Sequence, residues 1–201
     1  MHEMNAAAFF RAFRSALAED NVRDGRSYFD VYRHDEKAFT KLVNQEVVHR
    51  IIEEAGFTAQ HEYFRIDTLG WSGRYEELDK TMARSHRLNR HLWDLEIVVE
   101  HENDKQDWLD EVIKLVHIRC PLKVVIGYNY CDQREEGERG KLQYAADCMN
   151  RVKAFDNAAE EEFLIILGNG VPQNSKSPMY TTFDYRGYLY APAQKAFVEI
   201  S

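Results

Sequence analysis

Carboxylates at the ends of apolar runs are the groups in this chain most suited to chemistry. Residues 94–102 read Asp-Leu-Glu-Ile-Val-Val-Glu-His-Glu, an apolar strand that finishes on Glu100 and Glu102. Strand side chains repeat every two residues, so both acids share one face. Unpaired charge at the end of a buried strand is costly, and such groups usually meet a metal or another cation. A third acid, Asp67, sits late in an aromatic and β-branched run at 62–70. Antiparallel pairing of the two strands sets Asp67 opposite Glu100. Three carboxylates at one end of a sheet are oxygen ligands for a hard cation, Mg²⁺ or Mn²⁺. Such an ion activates water and stabilises charge on a phosphoryl oxygen during hydrolysis. The plainer reading is a strand emerging into water, with Asp67 capping a turn and Arg65 or Lys123 paired nearby.

A second cluster is basic. Arg84, His86, Arg87, Arg90 and His91 crowd one segment. On a helix, Arg84, Arg87 and His91 share a face. From an insert between the Asp67 and Glu100 strands, Arg84, Arg87 and Arg90 are candidates to contact phosphate, which positions nucleic acid without reading its sequence. The alternative is a solvated helix balancing Glu76, Glu77 and Asp79. The histidines show neither HxxxH nor HExxH spacing, so a histidine zinc site is poorly supported. His101 points away from the face of Glu100 and Glu102 and is expected under a helix. Cys120, Cys131 and Cys148 form no CxxC pair, and Cys120 before Pro121 reads as core. Gly168-Asn-Gly170 lacks a Walker lysine and reads as a turn. The alternating aromatics Tyr180, Phe183, Tyr185, Tyr188 and Tyr190 read first as sheet packing and second as a base-stacking or partner surface.

The elements that must position these residues follow from periodicity. Helical spacing of apolar residues predicts helices over 4–19, 36–55, 106–119 and 141–155. Gly56 and Pro121 serve as stops. Strands are expected at 61–70, 94–102, 122–128 and 162–168, with 180–190 and 195–200 forming a final hairpin. Segment 20–35 resists assignment, and 74–92 is polar. Short apolar strands separated by helices favour parallel crossovers, hence an α/β fold with a mixed central sheet flanked by helices.

The block Arg65-Ile-Asp67 through Glu100-His-Glu102, with the helix and strand that follow, resembles the restriction-endonuclease-like PD-(D/E)xK nuclease superfamily. That family has a helix, a meander carrying an Asp and then Glu-x-Lys, a crossover helix and a strand. The resemblance covers roughly residues 38–128. It implies a restriction-endonuclease-like core, to which the C-terminal β-hairpin read above is added, and Asp67 and Glu100 as metal ligands. It also implies a catalytic contribution from Glu46, matching a glutamate that many members carry on the first core helix. Glu102 stands at the lysine position. Lysine orients water and stabilises developing negative charge, whereas glutamate acts only as base or extra ligand. Lys105 or Lys114 is then the candidate source of positive charge.

Length and composition set the outer bounds. A chain of 201 residues suits a single domain with a sizeable core. A net charge of −8 argues against general high-affinity nucleic-acid binding but leaves room for a local basic cleft. No apolar run approaches a membrane span. The N-terminus lacks the basic start and apolar core of a secretory signal, so reduced thiols and a cytoplasmic location are expected. The sequence therefore carries two functional readings. The first is a Mg²⁺- or Mn²⁺-dependent nuclease-like protein hydrolysing phosphodiester bonds. The second is a catalytically inactive nuclease-fold module for binding or assembly, with a protein partner or a homodimer. A third possibility is an unrelated α/β protein whose acids are structural.

Overall fold

The computed structural model describes residues 4–18, 27–73, 84–87, 94–129, 136–153, 155, 160–172 and 180–201. Seven strands form one mixed sheet in chain order: β1 (Thr58–Tyr63), β2 (Ile66–Ser72), β3 (Asp94–His101), β4 (Leu122–Asn129), β5 (Glu162–Pro172), β6 (Tyr180–Ala191) and β7 (Ala196–Ile200). The pairs β3–β4 and β4–β5 are parallel, and the other neighbours are antiparallel. The parallel joins need crossovers, supplied by helices Trp108–Val116 and Glu136–Met149.

Every residue of β4 is buried, as expected for a central parallel strand covered on both faces. On one face, helices α1 (Ala6–Ala18), α3 (Glu36–Leu42) and α4 (His49–Glu54) pack on Ile97, Val99, Val124, Ile126, Leu164 and Ile166. Helix α2 (Tyr28–His34) adds Tyr28, Val31 and Tyr32 to the same layer. On the other face, α5 (Trp108–Val116) and α6 (Glu136–Met149) pack on Val98, Val125, Ile165 and Leu167. Alternation along each strand therefore feeds two cores, one per helical layer. Close approach of α5 needs Gly127, where a Cβ would lie 2.9 Å from Trp108 Cγ.

The mixed α/β sheet flanked by helices matches the sequence expectation, and the C-terminal strands β6 and β7 do form a hairpin. Gly168-Asn-Gly170, expected as a turn, instead continues β5 against β6, and three further local features differ. The expected strand at 61–70 is broken by a hairpin turn at Phe64-Arg65, so 61–63 end β1 and 66–70 open β2. Both turn residues are left-handed, with φ of 52° and 61°. Asn-Gly usually fills such a turn, so Phe-Arg hides it from a sequence reading. Helix α2 occupies part of the unassigned stretch, and the signal was a capping box. The Ser27 hydroxyl accepts from the Asp30 N–H, and the Asp30 carboxylate accepts from the Ser27 N–H. The helix expected over 36–55 is continuous, but its middle, Val43–Val48, is π-helical. Such wide turns cluster at functional sites.

Candidate active site

Asp67 follows Ile66 at the start of β2, and Glu100 is the penultimate residue of β3. The ladder pairs Thr68 with Val99, so its next step sets Asp67 opposite Glu100. Two hydrogen bonds reinforce this. The Asp67 N–H donates to Glu100 Oε2 at 3.4 Å, and the His101 N–H donates to Asp67 Oδ2 at 2.9 Å. Each carboxylate is thus held by the backbone of the other's strand.

Glu100 is 1% exposed. Its cation is Lys114 of α5, with Nζ 2.8 Å from Glu100 Oε1. This ion pair gives the buried Oε1 its charged partner. Lys114 also pairs with Glu111 one turn earlier and donates to the Arg65 carbonyl at 3.0 Å. One ammonium therefore links α5, β3 and the β1–β2 turn. Burial pushes the Glu100 carboxyl up to about 8. Lys114 opposes that shift, and the nearby carboxylates of Asp67 and Glu111 add to it. Burial works against the charge of Lys114, but Glu100 and Glu111 outweigh it and hold the ammonium above its ordinary value.

The other expected residues lie elsewhere. Glu102 is half-buried just past β3, and its Oε1 accepts from the Asp104 N–H at 2.7 Å. Its carboxylate thus ties down the turn leading toward α5. Glu46 is exposed on the π-helical segment. A cleft of about 300 Å³ beside Asp67 is lined instead by Lys37, Lys41, Asn44, Gln45 and His61, among others. Asn44 is buried with its Oδ1 unpartnered. Arg84 and Arg87 are exposed. Arg87 adopts φ 59° and its N–H donates to the Arg84 carbonyl, so the chain turns there rather than continuing a helix. Arg90 and His91 lie outside the described residues.

Sequence reasoning missed Lys37 and Lys41 as cleft residues, although their i, i+4 spacing on one helix was available. It also missed a side-chain chain beside Asp67. His49 and His61 bond through Nδ1 and Nε2 at 2.9 Å, and His61 Nδ1 reaches Thr68 Oγ1 at 3.1 Å. Burial, then the neighbouring His49, holds His61 below the ordinary histidine value. His101 behaves as expected: it is buried under α3 against Phe39, with Nε2 2.9 Å from the Tyr128 hydroxyl. Burial lowers its pKa to about 3. Cys120 is buried core, its thiol pushed up to about 12 by burial. Lys123 pairs with Glu161 at 2.6 Å rather than with Glu100 or Glu102.

Among the described residues, no group of three or more His, Cys, Asp or Glu side chains is arranged to hold a metal ion. Asp67, Glu100 and Glu102 therefore do not make a three-carboxylate cage. Mg²⁺ asks for less, because it keeps several waters and binds through one or two carboxylates plus substrate phosphates. Asp67 and Glu100 are adjacent, and Lys114 Nζ holds Glu100 Oε1 at 2.8 Å. Among the described residues, no helix is long and apolar enough to cross a membrane. Compared with known proteins, the chain matches no family model, no curated protein and no solved structure.

Proposed function

We propose that this chain is a metal-dependent nuclease-like protein with a restriction-endonuclease-like core, hydrolysing phosphodiester bonds in nucleic acid. The observation that carries the reading is Asp67 facing Glu100 across β2 and β3 with Lys114 on Glu100. Its support from the fold is the order of elements: a helix, the β1–β2–β3 meander, the crossover helix α5 and parallel strand β4.

In this reading Asp67 and Glu100 would hold Mg²⁺ or Mn²⁺. When bound, the ion lowers the pKa of its water and offsets charge on phosphoryl oxygens. Glu100 must give up its proton to serve as a ligand, which makes the site more competent as pH rises toward 8. Lys114 takes the place of the motif lysine. Its ammonium is already fixed by Glu100, Glu111 and the Arg65 carbonyl, so little ordering is needed for it to face developing negative charge. Lys37 and Lys41, on the cleft wall, supply phosphate contacts, and exposed Arg84 and Arg87 extend the basic surface. Glu102 organises the turn and is not required as base.

One observation favours the inactive binding module: Glu100 is engaged by Lys114, which itself answers two carboxylates. A cleavage assay separates the readings. Labelled single- and double-stranded DNA and RNA are incubated with Mn²⁺ or Mg²⁺ and wild-type, Glu100→Ala, Asp67→Asn or Lys114→Ala protein. Metal-dependent cleavage by wild type, lost in all three variants, supports hydrolysis. Binding without cleavage by wild type supports the module. Undiminished cleavage by Glu100→Ala excludes this site.

A further inference from the structure

The tip of the β1–β2 hairpin has the backbone of a tight two-residue turn but not the residues that such turns favour. Tyr63 pairs with Ile66, so Phe64 and Arg65 are the two turn residues. Both are left-handed, as is Glu62 just before them, at φ 50°. Three non-glycine residues in that region within four positions are costly, and such strain collects at functional sites. An Asn-Gly turn would avoid it at Phe64 and Arg65.

The strained turn presents an aromatic ring to solvent. Phe64 is 75% exposed, the largest value among the exposed large hydrophobic side chains described. Tyr63 packs against it, with ring centroids 4.4 Å apart at 65°. The neighbouring Arg65 is exposed, and its carbonyl accepts from Lys114, the lysine paired with Glu100. Asp67 is two residues further along the chain. The tip thus combines a presented aromatic face, an adjacent guanidinium and a link, through Lys114, to the candidate catalytic carboxylate. A base stacked on an aromatic ring, beside a phosphate on a cation, is the chemistry of single-stranded nucleic-acid binding.

We propose that Phe64 is the platform on which an unpaired base beside the scissile phosphate stacks, with Arg65 on the flanking phosphate, so that the substrate is single-stranded nucleic acid. The proposal rests on the nuclease reading for the word scissile, but the stacking is separable from hydrolysis. A ring at a hairpin tip needs a free base face, and a continuous duplex buries those faces in its own stack. Single strands are therefore favoured over blunt duplex.

The test measures fluorescence anisotropy of labelled 15-nucleotide single strands, and of the matching blunt duplex, in EDTA and moderate salt. Proteins compared are wild type, Phe64→Ala, Phe64→Leu, Phe64→Trp and the double variant Phe64→Asn/Arg65→Gly. Phe64→Ala is expected to weaken single-strand binding roughly five- to 150-fold, the range of base–aromatic stacking. Phe64→Trp retains binding, whereas Phe64→Leu, apolar but without a π-face, behaves like alanine. The double variant relieves the turn, so its Tm rises while its binding falls. Cleavage with Mn²⁺ is measured in parallel. Binding with the Phe64 signature but no cleavage removes the hydrolysis reading and leaves the platform standing. Metal-dependent cleavage unaffected by Phe64→Ala removes the platform and leaves hydrolysis standing. Equal binding by Leu and Phe variants, preference for duplex, or no oligonucleotide binding by wild type each overturns the proposal.

Discussion

Replacing Glu100 by glutamine changes how stability depends on pH, and the direction follows from the site. In the folded chain Glu100 is buried and its pKa is raised from 4.5 to about 8. The unfolded chain returns it to the ordinary value. Between those two pH values the folded state binds the proton more tightly than the unfolded state. Stability from this group is therefore fully present below about pH 4.5 and is lost as pH rises toward 8. At about 1.4 kcal/mol per pH unit, the whole span corresponds to nearly 5 kcal/mol. Lys114 is about one-third exposed and still meets water, so about 2 kcal/mol is the expected loss across the window. Glutamine keeps the shape and carries no titrating proton. Urea unfolding of wild type and Glu100→Gln, followed by tryptophan fluorescence at pH values from 5 to 9, reads the difference. The variant should gain about 2 kcal/mol relative to wild type between pH 5 and pH 9. Parallel profiles would show that Glu100 titrates normally and that its burial does not control the site.

Three further outcomes follow from the same geometry. Glu102→Ala should leave metal-dependent cleavage within about twofold of wild type and cost about 1 kcal/mol of stability, because its carboxylate serves the Asp104 N–H; a rate assay with thermal melts checks both. Glu161→Ala strands the buried Lys123 ammonium and should cost about 3–5 kcal/mol, whereas Lys123→Met with Glu161→Leu should recover most of that loss in urea unfolding. His101 stays neutral in the fold down to about pH 3, while the unfolded chain protonates near 6.5. Its contribution to stability is present above about 6.5 and is lost as pH falls toward 3, and NMR of its ring should show no titration between pH 4 and 8.

How legible these features were in the sequence depended on the range of the interactions. The strand 122–128 announced itself as an apolar run, and the stripe Trp108, Leu109, Val112, Ile113, Val116 and His117 marked the helix that covers it, although the structure buries Leu115 in place of Leu109, Ile113 and His117. Alternation was enough to put Glu100 and His101 on opposite faces; the structure adds that these are the α5 and α3 sides. The opposition of Asp67 and Glu100 followed from antiparallel pairing once both strands were recognised. The turn at Phe64-Arg65 was invisible because its residues lack the turn chemistry its backbone demands. Lys114 could be named only alongside Lys105, since the choice depends on the phase at which α5 leaves its turn. The role of Glu102 was hidden because its hydrogen bond is to the chain two residues ahead, not to the sheet. The capping box at Ser27 was readable, yet the charged and aromatic residues around it show no apolar period.

Mn²⁺ titration by isothermal calorimetry, run at pH 6.5, 7.5 and 8.5 in two buffers of different ionisation heat, tests the central claim most directly. Binding should tighten with pH, release protons from Glu100 below pH 8, and disappear in both Asp67→Asn and Glu100→Gln. Equal binding in wild type and both variants, or no binding to wild type at pH 8.5, would contradict a metal held by Asp67 and Glu100.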